Sequence, residues 1–407
     1  MKTIKNFDIS NLASNTIISP TSLNINYENV VLFDQKLNAY FFGTYADVKR
    51  ILTSPAFTTR PLSQRAEPVM GGRVLAQMEG VEHQAKRRAV HSGLTGKMFK
   101  ERYEGLIVSI SEDLLKAFLP TGQIDLVEDF GKKYSVLVTL SLLGLPTDQH
   151  TKISEWHSGI TEFITGFNLS EAETSHCLRC SRELIDYLTP LIQAKILHPD
   201  DTFISMIGNA PDQPLSTKEI VALTLNILLA ATEPADKVLA YLFKNLLDNP
   251  DQFDRVRRDR SLVGPAIDET LRLTPPVQLI PREAAEDVEV GGLMIKSGTL
   301  VFCMIGAANR DQTVYENADQ FDIDRKSVGG NCHTKLPPHL AFGTGAHVCV
   351  GAAFSMMQIR TTANFLLDHM KDLAFADDFS FSEQGIYTKG PTSLKLKFTA
   401  TSPNSTD

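Results

Sequence analysis

Residues 342–351, Phe342-Gly343-Thr344-Gly345-Ala346-His347-Val348-Cys349-Val350-Gly351, gather in one window the residue types that hold a soft metal. Gly343 and Gly345 let a loop curl tightly and approach a flat partner, because glycine enters φ > 0 without a steric penalty. Cys349 lies just before a helix N-terminus, where the macrodipole and free N–H groups favour the thiolate. The same N–H groups can hydrogen-bond a metal-bound sulfur and tune its potential. Gly351 lets the helix start close against whatever the sulfur binds. A lone buried cysteine usually packs as a small apolar residue. So many specified residues in one short window point to a metal ligand instead.

Other charged residues stand at spacings that place them side by side. Glu269 and Arg272, in Glu269-Thr270-Leu271-Arg272, are i,i+3 neighbours on a helix and can pair. His83 and Arg87, in GVEHQAKRR, lie four apart and so on one helix face. Glu233 is followed by Pro234 in the run Ala230-Ala231-Thr232-Glu233-Pro234-Ala235-Asp236. Proline has no N–H, so the Ala230 carbonyl loses its helical partner and the ring kinks the axis. Two small alanines beside a kink and a carboxylate read as space kept for a ligand. The alternative is two helices meeting at the proline, with Glu233 capping the second.

These residues need long helices to position them. Ser216-Thr217-Lys218-Glu219 fits a capping box, with Leu215 and Ile220 spaced as a hydrophobic staple, and Asp248-Asn249-Pro250 ends the pattern. The predicted helix is about 48 Å long, enough to cross a domain. Helical periodicity dominates 80–250; Leu106, Ile107, Ile110, Leu114, Leu115 and Phe118 mark one buried face. Near the start, NAYFFGTYADVKRILTSP reads as a strand and a short helix stopped by Pro55. After Pro275, Val288–Val290, Gly291-Gly292 and Leu293–Ile295 read as a hairpin, followed by the apolar run 299–305. A last helix spans about 351–370. The expected fold is mainly α with small β-sheets, β-rich near 20–60 and 275–310, as a single domain over 1–407 with a polar tail at 399–407.

Composition sets outer bounds. The 407 residues carry 40 Lys plus Arg and 48 Asp plus Glu, a net charge of −8, which argues against a nucleic-acid binder relying on bulk charge. Five cysteines, Cys177, Cys180, Cys303, Cys332 and Cys349, are too few and too odd in number for a secreted disulfide scaffold. The first thirty residues lack the apolar core of a signal peptide, and residues 220–231 fall short of a bilayer span. A cytoplasmic location is expected. Cys177 and Cys180 are i,i+3 with no second pair, which favours packing over zinc.

With the Cys349 window in place, the chain resembles the cytochrome P450 family along nearly its whole length. The resemblance implies a helix-rich prism with a β-rich flank, built around haem b, with Cys349 as the iron ligand and dioxygen as co-substrate. It implies that His83, Arg87, Arg282 and His347 reach the haem carboxylates, that Phe342 packs beneath the ring, and that Gly351 starts the helix there. Glu269 and Arg272 match the family's ExxR, and Arg325, from the stretch opened by Phe321, joins them in a buried structural network. The central helix crosses the oxygen-binding face, which makes Ala230, Glu233 and Pro234 the candidate catalytic positions. Most members carry threonine after the acid; here it is Pro234, and the ordinary proton relay is interrupted. A water on the freed Ala230 carbonyl, a donor on the substrate, and inefficient or peroxide-driven oxygen use all remain open.

The strings LLAATEPADK, RAEPVM, KISEWHSG, PPVQLIPR and VFCMIGAANRD look very like a bacterial group within the family, the pulcherriminic acid synthases. That resemblance implies a monooxygenase of secondary metabolism acting on cyclo(L-Leu-L-Leu), with N-hydroxylation of both ring amides and desaturation to pulcherriminic acid. Oxidation of another small apolar compound, or a non-catalytic haem sensor or carrier, are the rival readings. By the family's pocket geometry Met70, Val74, Ala231, Val277, Gln278, Leu279 and Ile280 line the substrate site, Gln278 either bonding a ring amide or facing away. Trp156 and His157 either belong to the group's signature or pack between helices. Ferredoxin and ferredoxin reductase are the expected electron donors. Lys86 and Arg88 either help the ferredoxin dock or are solvated charge.

Overall fold

The computed structural model describes residues 2–9, 30–94, 97–166, 169–209, 215–325 and 338–400. Cys332, positions 20–29 of the expected β-rich stretch and positions 401–407 of the polar tail lie outside the described residues. Within them the fold is mainly helical with small sheets.

The central helix runs unbroken from Thr217 to Asp248, with Pro234 inside it, so the two-helix alternative is corrected. Its start follows the sequence signal. The Ser216 side chain accepts from the Glu219 N–H, and the Ser216 N–H donates to Glu219 Oε2 at 2.8 Å. Lys86 Nζ sits 2.6 Å from Glu219 Oε1 and helps hold that carboxyl at about 2, well below its usual range. Lys86 therefore ties the His83 helix, Gly80–Gly93, to the central helix instead of offering a free docking charge. Arg88 is exposed. The central helix is mostly buried because the helices Lys132–Leu143, Glu171–Leu197 and Val263–Leu273 pack around it. Its leucine and isoleucine side chains join the main core, where burial of each is worth roughly 1.5–3 kcal/mol.

Helix His150–Thr165 packs on helix Glu171–Leu197 through a close approach. A Cβ on Gly159 would lie 2.7 Å from Cys180 Sγ, so Cys180 is a packing residue, as is the fully buried Cys177. Trp156 Nε1 donates to Glu183 Oε2 at 2.7 Å, and its ring lies 5.7 Å from Tyr187, which holds the same two helices together.

The β flank is a six-stranded sheet of β1 (Thr3–Phe7), β2 (Val30–Asp34), β3 (Ala39–Phe42), β4 (Phe57–Thr58), β6 (Leu279–Ala284) and β9 (Leu300–Met304), ordered β1-β2-β3-β9-β6-β4. The strand and helix expected near the start are β3 and Tyr45–Thr53. The predicted hairpin is β7 (Val288–Val290) and β8 (Leu293–Ile295), with Gly291 and Gly292 at φ +59° and +79°. Two successive left-handed residues make the tight turn that matches strand twist. Short strands β5 (Gln123–Asp125), β10 (Met370–Phe375) and β13 (Lys395–Ala400) form a second sheet, and β11 (Glu383–Gln384) pairs with β12 (Gly390–Pro391).

Between helix bundle and flank lies a buried ion network. Glu269 and Arg272 are both fully buried. Arg272 donates from Nε to Glu269 Oε2 and from a terminal nitrogen to Oε1, both at 2.8 Å. Its remaining N–H groups donate to the carbonyls of Asn309, Ala318 and Gln320 at 2.7–3.1 Å. Arg325 Nε donates to Glu269 Oε1 at 3.0 Å. Every guanidinium donor of Arg272 has an acceptor, which is the condition under which a buried arginine is tolerated. Arg272→Ala removes two donors from a buried carboxylate that keeps only Arg325 and the Asp322 N–H, and takes the arginine from the Asn309 and Ala318 carbonyls; urea unfolding is expected to show a loss of about 3–5 kcal/mol. Lys296→Ala, at the exposed pair with Asp287, is expected to change stability by less than about 1 kcal/mol; equal effects would contradict this reading.

Candidate active site

Cys349 is presented by a loop that closes on itself. Gly343 N–H donates to the Leu340 carbonyl and Cys349 N–H to the Phe342 carbonyl, both at 2.8 Å. Gly343 and Gly345 adopt φ +70° and +76°. Gly345 also lacks room, since a Cβ there would lie 2.7 Å from the Leu52 carbonyl oxygen. Helix Ala352–His369 then starts with Gly351 at its N-cap, and a Cβ on Gly351 would stand 4.0 Å from Cys349 Sγ. The first turn of that helix is therefore packed against the sulfur.

Cys349 is exposed to solvent, yet burial pushes its thiol pKa up, with the Gly351 N–H and Arg87 pulling the other way. Together these describe a sulfur at the floor of a concavity. The expectation that the helix start favours thiolate is corrected in balance: the N–H contribution is there, but in the protein alone desolvation outweighs it. A metal ion on the sulfur reverses that balance.

Four basic side chains converge beside the cysteine. The His83 and His347 rings lie 4.3 Å apart. His347 is pushed down to about 4 by burial and then by His83, Arg282 and Arg87. His83 is lowered by burial and by Arg87. Burial lowers Arg282 as well, and among the described residues its side chain donates to the Pro281 carbonyl at 2.9 Å. No carboxylate among the described residues forms an ion pair with Arg87 or Arg282. Two guanidinium groups without a paired carboxylate, beside two neutral imidazoles and with Glu79 acting on His83 and Arg282 only at a distance, fit a group that carries carboxylates. Haem has that shape and charge, and the residues present fit it. Phe342 is half-buried in the same loop.

In the central helix, Ala230 is exposed and Ala231 half-buried although Leu229 and Thr232 on either side are buried. An exposed alanine at mid-helix marks an opening beside it. Glu233 Oε1 accepts from Thr388 Oγ1 at 2.5 Å and lies 3.5 Å from Lys237 Nζ. Thr232 Oγ1 is buried without a partner among the described residues. His157 is buried against the same stretch. Burial lowers its pKa, while Glu233 and the Leu229 carbonyl raise it, and its Nε2 has no partner among the described residues.

The expected substrate wall divides. Met70 and Val74 are buried in the main core, beside Gly72, whose Cβ would meet Ala222 of the central helix at 3.1 Å. Val277 is half-buried and forms an isolated bridge with Thr388; Ile280 is half-buried on β6. Two assignments are corrected. Gln278 donates its side-chain amide to the Pro275 carbonyl and packs its oxygen against Gly306, so it faces its own loop. Leu279 is fully buried in the sheet core with Phe41 and Phe302.

Sequence reasoning missed the loop 383–391. Tyr387 there is pushed up to about 12 by burial and lies within electrostatic reach of Arg65, Arg282 and Glu233. Arg65 donates to the Ile164 carbonyl at 2.9 Å, which links the segment before the His83 helix to helix His150–Thr165. The string YTKG carries no motif; only the fold brings it to Glu233.

Comparison with known proteins gives a consistent answer. Residues 125–371 match the family model described as Cytochrome P450. The chain is 48% identical over 375 residues to the pulcherriminic acid synthase of Bacillus subtilis (strain 168), covering 91% of this chain and 92% of that protein. It is 28% identical to the biotin biosynthesis cytochrome P450 of the same organism, over 84% and 86% of the two chains. Among solved structures, substrate-free CYP109E1 from Bacillus megaterium superposes with TM-score 0.81 at 24% identity, over 91% of this chain and 96% of that one.

The geometry of the cysteine loop generates one prediction. Gly345→Ala forces the loop off Leu52 and is expected to lower haem content per polypeptide. Gly298→Ala, at φ +78° with open space around it, is expected to cost about 1–2 kcal/mol of stability and keep full haem content. Equal haem content in both variants would contradict the account.

Proposed function

The chain belongs to the cytochrome P450 family of haem-thiolate monooxygenases, and we propose that its substrate is the diketopiperazine cyclo(L-Leu-L-Leu). On this reading it hydroxylates both ring nitrogens and desaturates the ring to pulcherriminic acid. The observation that carries the reading is the 48% identity across nearly the whole chain to a pulcherriminic acid synthase, against 28% to the biotin-pathway P450. The likeness to CYP109E1 contributes the fold alone.

Bound haem supplies the oxidising chemistry, with thiolate ligation favouring O–O cleavage. The chain's own residues do the rest. We assign Cys349 as the residue that would supply sulfur to the haem iron, its thiolate favoured by the Gly351 N–H and by the bound metal. His83, Arg87, Arg282 and His347 would receive the haem carboxylates, which would favour the protonated imidazoles that burial and the neighbouring cations disfavour. Phe342 and Gly351 shape the pocket around the sulfur. Ala230 and Ala231 leave room for a flat ring beside the central helix, and Val277 and Ile280 offer apolar surface to leucyl side chains. Glu233 is the acid on that face. Electrons come from a ferredoxin and its reductase. Among the described residues no helix is long and apolar enough to cross a membrane.

Titration of the ferric protein with cyclo(L-Leu-L-Leu) is expected to shift the Soret band and saturate, and turnover with ferredoxin and reductase is expected to yield pulcherriminic acid by mass spectrometry. No shift with this ligand, alongside a saturable shift with another small apolar compound, would replace the substrate. Cys349→Ala is expected to abolish the long-wavelength carbon monoxide band of the reduced protein; its survival would remove Cys349 as ligand.

A further inference from the structure

In most P450s a threonine follows the acid of the central helix, and here that position is Pro234. The hydroxyl is nevertheless present at Glu233, brought from the other end of the chain. Thr388 Oγ1 donates to Glu233 Oε1 at 2.5 Å across 155 positions of sequence.

The loop that carries Thr388 is anchored without help from this hydroxyl. β11 pairs with β12, Lys389 Nζ sits 3.0 Å from Glu383 Oε1, and Tyr241 of the central helix donates its hydroxyl to Glu383 Oε2 at 2.7 Å. The Lys389 N–H donates to the Pro276 carbonyl at 2.8 Å and the Gln278 N–H to the Tyr387 carbonyl at 2.9 Å. The backbone of Thr388 bridges Val277. These contacts hold the loop, and the hydroxyl bond is additional to them. Its effect falls on the carboxylate. Oε1 takes the Thr388 hydroxyl and lies 3.5 Å from Lys237 Nζ, while no hydrogen bond among the described residues takes up Oε2. Glu233 is thereby held with one oxygen engaged and the other available. The Thr388 oxygen, having given its proton to the bond, keeps its lone pairs for a water. The charged and titratable groups facing Glu233 are Lys237 and Asp236 on its own helix, His157 from helix His150–Thr165, and Tyr387 from the Thr388 loop.

We propose that Thr388 is the hydroxyl partner of Glu233, a positioning residue that replaces the missing threonine of the central helix and aims the free carboxylate oxygen for proton delivery. The proposal rests on reading Glu233 as the acid of the monooxygenase site. Productive turnover and uncoupled peroxide release each use one dioxygen, two electrons from reduced ferredoxin and two protons. They differ in whether the O–O bond is broken, with the oxygen ending in hydroxylated product and water, or in water alone for desaturation, or whether it leaves intact as hydrogen peroxide. The ratio of peroxide to product therefore reports proton placement and not electron supply.

The test uses haem-loaded wild type, Thr388→Val and Thr388→Ser. With ferredoxin, reductase and cyclo(L-Leu-L-Leu), Thr388→Val is expected to raise peroxide per product several-fold with unchanged Soret titration and unchanged melting temperature, and Thr388→Ser to restore the wild-type ratio. A second readout needs neither substrate nor turnover: the infrared stretch of carbon monoxide on the reduced protein is expected to shift in Thr388→Val and not in Thr388→Ser. Wild-type peroxide ratio and infrared band in Thr388→Val would overturn the proposal. So would a serine variant as impaired as the valine one, which would make Thr388 a packing residue. If Thr388→Val fails to load haem, Thr388→Ala takes its place under the same criteria. A wild type blind to cyclo(L-Leu-L-Leu) would instead remove the substrate reading and leave the infrared comparison standing.

Discussion

The Glu269–Arg272 pair is the constraint on which the rest of the structure depends. Burying two charges costs several kcal/mol per ion, and their attraction offsets that only when the remaining donors and lone pairs are satisfied. Here Arg272 spends its other donors on the carbonyls of Asn309, Ala318 and Gln320, and Glu269 also takes the Asp322 N–H at 3.1 Å and Arg325. The pair therefore dictates where the irregular segment 309–325 runs. From there a chain of hydrogen bonds leads to the cysteine. Asn309 Oδ1 accepts from the Leu340 N–H at 2.7 Å, the Leu340 carbonyl from Gly343, and the Phe342 carbonyl from Cys349. A buried ion pair far along the chain is thus mechanically continuous with the loop that presents the sulfur.

The site itself is under electrostatic tension in the protein alone. Burial and mutual repulsion depress His83 and His347, and burial raises the Cys349 thiol. Each shift has the sign that a metal on the sulfur and carboxylates on the cations would oppose. The pocket is accordingly organised for a group that carries a cation at its centre and anions at its edge. That pattern identifies the kind of ligand more sharply than any one of the residues.

How much of this is legible in the sequence follows from where the information lies. Local signals were fully readable. Ser216 with Glu219 marked the helix start, Gly291-Gly292 the hairpin, and the Gly343–Gly345–Cys349 spacing the loop, because each depends on neighbours within a few residues. Glu269 and Arg272 are readable from spacing as a pair, but their burial follows only from the family resemblance, since an i,i+3 pair looks the same on a surface. Gln278 and Leu279 are placed at the substrate wall by the family's pocket geometry, and no local signal shows that Gln278 bonds the Pro275 carbonyl or that Leu279 turns into the sheet core. Lys86 was misread as free because its partner, Glu219, lies 133 positions away. Thr388 was invisible for the same reason: its relation to Glu233 exists only once the C-terminal loop is folded over the central helix.

The central claim is that Cys349 sits where a haem iron takes a sulfur ligand, framed by cations that hold the haem edge. Iron-edge X-ray absorption on the haem-loaded ferric protein tests it directly. The account predicts one sulfur scatterer in the inner coordination shell together with the porphyrin nitrogens. A shell of nitrogen and oxygen alone would contradict it.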